Sequence, residues 1–208
     1  WMKQWASGLL AVFGMDVRVA SPLPPEATCA RLVVANHRSP IDILILLKLF
    51  GGVVLSRADL ARWPILGLAA RRAETIFVDR GDAMSGMRAV RQMRERLASG
   101  RTVIVFPEGA TYRGDEVRPF QEGAFAAATH LKLPVEIVPV GIAYTDGAEF
   151  FGETFMEHMA RVAARPKTHV SCVVGRPRLL SGRRAELAVG LREEVQQLVV
   201  EARRNLGR

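Results

Sequence analysis

The sequence predicts an α/β fold: a single domain over residues 1–208, with a mixed, largely parallel β-sheet flanked by helices and an N-terminal amphipathic helix. Three observations carry that expectation. Short apolar runs rich in β-branched residues recur at 31–35, 53–56, 75–78, 102–106, 135–140 and 168–174. Longer segments with helical apolar spacing separate several of them, as at 82–99 and 187–199. Polar groups gather where the runs stop: Asn36 to Asp42, Arg57, Asp79 with Arg80, and Glu108 with Gly109. In an open α/β sheet, ligand groups collect just past the carboxyl ends of strands. No internal repeat, low-complexity tract or composition shift marks a second domain.

Taken in order, residues 1–14 place Trp1, Trp5, Leu9, Leu10 and Phe13 at helical spacing, with Lys3 and Gln4 off that stripe. Such a helix suits either the core or a membrane interface. Residues 15–20 alternate as a strand, and 21–25 form a rigid, proline-rich loop. The run 31–35 is a buried strand, and the apolar segment 43–47 is a helix closed by Gly51 and Gly52. That helix has start chemistry: Ser39 as N-cap, Pro40 at the first position, Asp42 three residues after the cap. Strand 53–56 ends at Arg57, and 63–68 reads as a core corner or a membrane-dipping loop. Strand 75–78 ends at Asp79 and Arg80. The helix over 82–99 turns Met84, Met87, Val90, Met93 and Leu97 inward, and Gly100 ends it. Strand 102–106 runs into Pro107, Glu108 and Gly109, and a helix of small residues follows over 120–130. In the run 135–140, Pro139 suggests an edge or a bulge. Segment 146–166 gives no assignment, and 168–174 is a strand. The closing helix puts Leu187, Leu191, Val195, Leu198 and Val199 inward, with Glu193, Glu194 and Arg203 outward.

Composition narrows the partners. A 208-residue chain with 49% hydrophobic content buries one substantial core. Its net charge of +8 suits an anionic membrane surface or a phosphorylated substrate. Nucleic acid is not expected, since there is no zinc-finger spacing or RNP-like pattern and only 7% of residues are aromatic. Cys29 and Cys172 form neither a disulfide framework nor a metal set. No apolar run reaches the ~18 residues of a spanning helix, and no cleavable signal pattern is read. A peripheral or monotopic place on the cytoplasmic face of a membrane is therefore expected.

His37 and Asp42 are the candidate catalytic pair. On one continuous helix they would lie ~140° apart, but a loop before the helix start lets the imidazole fold back onto the carboxylate. A carboxylate on one ring nitrogen fixes the tautomer and frees the other nitrogen to take a proton from a hydroxyl. The N–H groups of the helix start favour a nearby anion or developing oxyanion. For the string alone, a capping acid and a loop histidine are the favoured reading. The second strand-end motif, Pro107-Glu108-Gly109, shifts the balance: it presents a carboxylate, with a glycine that permits close backbone approach. A metal-dependent hydrolase would use His37, Asp42 and Glu108 as ligands, yet His130, His158 and His169 lack paired ligand spacing. A basic, membrane-peripheral binding module would leave the His–Asp pair merely structural.

Taken together, the motifs resemble the PlsC-like glycerolipid acyltransferase family, which includes 1-acylglycerol-3-phosphate acyltransferases. The family's N-H-x-S-x-x-D is matched by Asn36-His37-Arg38-Ser39-Pro40-Ile41-Asp42, and its F-[IV]-[DN]-R by Phe77-Val78-Asp79-Arg80. F-P-E-G-T-[RT] is close to Phe106-Pro107-Glu108-Gly109-Ala110-Thr111, and [IV]-V-P-V to Ile137-Val138-Pro139-Val140. The resemblance implies fatty acyl transfer from acyl-CoA or acyl carrier protein to a lysophospholipid hydroxyl, first of all lysophosphatidate. His37 would be the general base and Asp42 its orienting partner. Arg57, Arg80, Glu108, Gly109 and Thr111 would serve the acceptor. It implies no metal and no cofactor, the acyl donor being a co-substrate. Ala110 stands where threonine is usual, and Gln121 where lysine is common, so a lyso-aminolipid acceptor is the alternative.

Overall fold

The computed structural model describes residues 2–58, 74–79, 81–145 and 147–207, with the side chain of Arg57 outside that set. Among the described residues, eight strands form one sheet: β1 (Met15–Val19), β2 (Ala30–Ala35), β3 (Val53–Arg57), β4 (Ile76–Val78), β5 (Thr102–Val105), β6 (Val135–Tyr144), β7 (Thr168–Val174) and β8 (Arg178–Leu179). Their order is β1-β7-β6-β2-β5-β3-β4; β8 pairs with β6 at Glu136 and Ile137, the end away from β7's partners Val140–Tyr144. The block β6-β2-β5-β3-β4 is parallel. β7 runs against β6, and β1 runs with β7, so the mixed, largely parallel sheet expected from the sequence is present.

β2 lies at the centre, and all six of its residues are buried. Val33 pairs with Ile104 on one side and Val138 on the other. Alternate residues feed two cores, as a strand covered on both faces must. Val33, Ile104 and Val138 pack with helices α1 (Met2–Val12) and α2 (Ile41–Phe50). Leu32, Val34, Val103 and Ile137 pack with α3 (Ala83–Ala98), with a 3₁₀ turn (Glu122–Phe125) running into α4 (Ala126–Thr129), and with a long C-terminal helix. Between β6 and β7 lies α5 (Phe155–Ala163), and α6 (Arg184–Leu206) closes the chain. Gly141 of β6 allows α6 to approach: a Cβ there would come within 2.4 Å of the Leu198 carbonyl carbon.

Several expectations need correction. Pro139 sits inside β6, not at an edge. Its carbonyl accepts from Gly175 N–H at 2.8 Å, so its missing N–H faces the gap where pairing passes from β7 to β8. α2 starts at Ile41 with Pro40 just before it, while Ser39 Oγ still accepts from Ile41 N–H at 3.2 Å. Met84 and Met87 are exposed, while Ser85 and Ala89 share the buried side of α3 with Met93 and Leu97. Residues 120–130 wind as a short 3₁₀ turn and one turn of helix. Arg203 does not point freely outward: it donates to both oxygens of Asp115 and to the Tyr144 carbonyl. The unassigned segment contains α5, begun by a reciprocal cap between Thr154 and Glu157. In α1, Ala6 and Leu10 are buried while Trp5, Leu9 and Phe13 pack at the border of the core. The apolar segment 63–68, Arg80 and Trp1 lie outside the described residues.

Candidate active site

The site grows from the loop between β2 and α2. Asn36 ends the strand and is locked by two bonds to β6: its amide donates to the Ile142 carbonyl at 2.9 Å, and its oxygen accepts from Ile142 N–H at 2.8 Å. That clamp sets where His37 emerges. His37 Nδ1 lies 2.8 Å from Asp42 Oδ2. The same oxygen accepts from Arg38 N–H at 2.6 Å and Ser39 N–H at 2.9 Å. Asp42 is thus both the acid that caps the helix start and the partner of the imidazole. Its other oxygen accepts from the Tyr144 hydroxyl at 2.6 Å. An ionised carboxylate can only accept, so His37 carries its proton on Nδ1 and presents Nε2 as a lone pair. Burial first, and the Asp42 charge second, push the Tyr144 hydroxyl well above the usual tyrosine range, which keeps it a donor.

The N–H groups of the helix start are already used. Those of Arg38 and Ser39 go to Asp42, and Ile41 N–H donates to Ser39 Oγ at 3.2 Å. Asp42 N–H goes to the Ser39 carbonyl at 3.0 Å, so the helix-start anion site expected from the sequence is not formed by these groups.

The loop after β5 supports the pair from below. Phe106 stacks on the His37 ring at 4.2 Å between centroids. Pro107 and Glu108 are the corners of a turn closed by Gly109 N–H to the Phe106 carbonyl at 3.1 Å. Gly109 has φ +81°, which favours glycine. The Glu108 side chain is wholly buried and points away from solvent. It accepts from His37 N–H at 2.7 Å, Arg118 N–H at 2.8 Å and Arg38 Nη1 at 2.9 Å. Arg38, 2% exposed, extends to the carbonyls of Gly114 and Glu116. Removing one member of such a buried ion pair costs ~3–5 kcal/mol, because the other is left uncompensated.

Above the pair opens a cavity of about 790 Å³. His37, Pro40, Phe106, Gly109, Ala110 and Thr111 line its floor side, and Ile43, Leu55, Val78, Val90 and Met93 line an apolar interior. Gln121, Phe150, Phe155 and Arg184 complete the wall. His37, Asp42, Gly109 and Thr111 are thus gathered as expected, whereas Glu108 lies beneath the cavity and does not line it. Arg57 ends β3, beside cavity residues Leu55 and Ser56, but its side chain is outside the described set, as is all of Arg80. Among the described residues no cluster of three His, Cys, Asp or Glu side chains is arranged to hold a metal ion. Cys172 is fully buried; burial and the Asp42 charge push its thiol up, away from the thiolate that nucleophilic chemistry needs. Arg38, Tyr144, Phe150, Phe155, Arg184 and His158 were not singled out by the motifs. Only Arg38, inside the first motif, carried a signal that could have drawn attention.

Residues 18–143 match the family described as Acyltransferase, a span of more than half the chain. The chain belongs to this family. All four motifs fall inside the matched span, while α5 and α6 lie outside it. A lyso-ornithine lipid O-acyltransferase of Pseudomonas aeruginosa is 35% identical over 168 residues, 77% of this chain and 62% of that protein. The 1-acyl-sn-glycerol-3-phosphate acyltransferase alpha of Homo sapiens is 36% identical over 131 residues, 61% of this chain and 44% of the human protein. The chain therefore spans less than two thirds of the length of either relative. The crystal structure of the 1-acyl-sn-glycerophosphate acyltransferase PlsC from Thermotoga maritima matches with a TM-score of 0.71 and 25% identity, over 96% of this chain and 77% of that one. The chain thus resembles PlsC in both sequence and fold.

Proposed function

We propose that this protein moves a fatty acyl group from acyl-CoA or acyl carrier protein to the hydroxyl of a lysolipid. One observation carries the reading: an imidazole fixed by a buried carboxylate turns its free nitrogen toward a large, mostly apolar cavity. His37 Nε2 takes the proton of the acceptor hydroxyl as its oxygen attacks the thioester carbonyl. Asp42 stabilises the imidazolium that results. When the carbon–sulfur bond breaks, that proton passes to the leaving thiolate, and the acyl–oxygen ester remains. No acyl-enzyme is formed in this scheme.

Lysophosphatidate is the first acceptor. Arg184 on the cavity wall supports an anionic head group, and Arg57 and Arg80 are proposed as further phosphate contacts. A lyso-ornithine lipid is the second reading. It is favoured by Ala110 and Gln121, which line the cavity where the family usually has threonine and lysine, and by the name of the Pseudomonas relative. Peripheral attachment to an anionic membrane on its cytoplasmic face is part of the proposal, supported by the +8 charge and by Trp5 at the core border.

The test is to incubate the purified protein with acyl-CoA or acyl carrier protein thioesters and a lysolipid panel, and to identify products by mass spectrometry. Phosphatidate as the dominant product supports the first acceptor, and an ornithine lipid carrying one added acyl ester the second. In the first case Arg80→Ala should raise KM for lysophosphatidate without changing the donor KM. Thioester hydrolysis alone, with no acylated lipid, would remove the transferase reading.

A further inference from the structure

A second histidine–carboxylate pair meets the catalytic loop from behind. His158, in the second turn of α5, is fully buried. Its Nε2 lies 2.8 Å from Ser39 Oγ, and its Nδ1 lies 2.9 Å from Glu153 Oε1. Glu153 is held in turn by Arg161, whose Nε donates to Oε2 at 3.0 Å. A serine, a histidine and a glutamate in this sequence form the skeleton of a nucleophile, base and acid. Neither Ser39 nor His158 lines the cavity, however, and both are fully buried. Pro40, Phe150 and Phe155 stand between them and any substrate. Nucleophilic attack by Ser39 is closed off by burial.

The arrangement does something else. Ser39 sits between His37 and Asp42, and its N–H donates to Asp42 Oδ2, the oxygen that also receives His37 Nδ1–H. Where the Ser39 peptide points therefore decides where that oxygen is held. Within its own loop the Ser39 hydroxyl has one long contact, accepting from Ile41 N–H at 3.2 Å. His158 supplies the short one. Nδ1 faces Glu153 Oε1 at 2.9 Å and Arg161 Nη2 at 3.0 Å, and in either tautomer one hydrogen bond joins His158 Nε2 to Ser39 Oγ. Burial lowers the affinity of His158 for a second proton, which keeps the ring neutral in this buried position. The segment before α5 grips the same loop again, where Phe150 N–H donates to the Arg38 carbonyl at 2.8 Å.

We propose that His158 is a positioning residue for the reaction: through Ser39 it holds the peptide that fixes Asp42 Oδ2, and so aims His37. The effect is on alignment and not on substrate contact, and a misplacement of ~1 Å can cost as much as ~10²-fold in rate. The kinetic part of the test rests on the acyl-transfer reading, so a second readout is independent of it. The proton that His37 Nδ1 shares with Asp42 gives a downfield imidazole resonance, assigned by its loss in His37→Gln. In His158→Leu and in Ser39→Ala this resonance should move or broaden, with thermal unfolding still cooperative. In the acyl-transfer assay kcat should fall about 10-fold while donor and acceptor KM change by less than about two-fold. Where His158→Leu does not fold, Glu153→Gln keeps the buried imidazole and should shift the resonance in the same way. A folded His158→Leu with the His37 resonance and kcat of wild type overturns the proposal, as does a loss confined to KM. If the wild type transfers no acyl group to any acceptor, the function fails, and the resonance still decides the positioning claim.

Discussion

Two histidine–carboxylate pairs in this fold have the same contact distance and very different surroundings. His37 Nδ1 lies 2.8 Å from Asp42, and His169 Nδ1 lies 2.8 Å from Asp16. Asp16 is on β1, the edge strand of the sheet, with its side chain 25% exposed and Arg18 and Lys167 each 3.5 Å away. The hydrogen bond from His169 leads in lowering its pKa, aided by those two cations. Asp42 is fully buried, and its oxygens accept from Tyr144, two backbone N–H groups and His37. His37 opens onto the cavity, and His169 does not line it. The difference lies in desolvation, saturation of the carboxylate and access, since bond length is the same. A screened surface pair contributes ~0–1 kcal/mol, whereas a buried and fully bonded one fixes a geometry.

That contrast can be broken or sharpened by substitution. Asp42→Asn should lower kcat/KM by about 10²-fold, because the amide offers the imidazole a poorer acceptor and upsets three other donors. Asp16→Asn, the matched change in the exposed pair, should leave kcat/KM within about two-fold. Equal losses in both would dissolve the distinction.

Tyr144→Phe comes next, at about 10-fold, since it leaves Asp42 Oδ1 buried without its donor at a cost of ~1–3 kcal/mol. A Tyr144→Phe enzyme with wild-type kcat/KM would show that the hydroxyl only fills space.

Glu153 gives a third, smaller effect, on stability. The Arg161 hydrogen bond first, followed by His158, holds its carboxyl down from the usual 4.5 to about 2. Its contribution is therefore complete above the unfolded value and is lost as pH falls from about 4.5 toward 2. Denaturant unfolding followed across that window should show a steeper acid loss in wild type than in Glu153→Gln. His169→Ala is the smallest change, expected within about 0.5 kcal/mol of wild-type stability and without effect on turnover.

How far each pair was visible beforehand follows from sequence separation. His37 and Asp42 are five residues apart in a helix-start string, so local geometry foretold their contact. Tyr144 meets Asp42 across 102 residues, and His158 meets Ser39 across 119, through strands and a helix with no shared local pattern. The same holds for the fold. β7 was readable residue for residue because each of its positions is apolar or β-branched or alternates with one that is, whereas α5 begins in a polar and aromatic stretch that masks its Thr154-x-x-Glu157 capping signal. In α3, Val90, Met93 and Leu97 face the core as read, while Met84 and Met87 do not. Met87 turns to the cavity rather than the core, so its environment depends on a void no periodicity encodes.

The central claim is that His37, alone among these histidines, handles the proton of the acceptor. Single-turnover acyl transfer, with the same thioester and the same lysolipid, should be measured for wild type, His37→Ala and His169→Ala, each first shown to be folded. The rate should fall by ~10²–10⁴-fold in His37→Ala, the range of a lost general base, and stay at the wild-type value in His169→Ala. A folded His37→Ala protein that transfers the acyl group at close to the wild-type rate would contradict it.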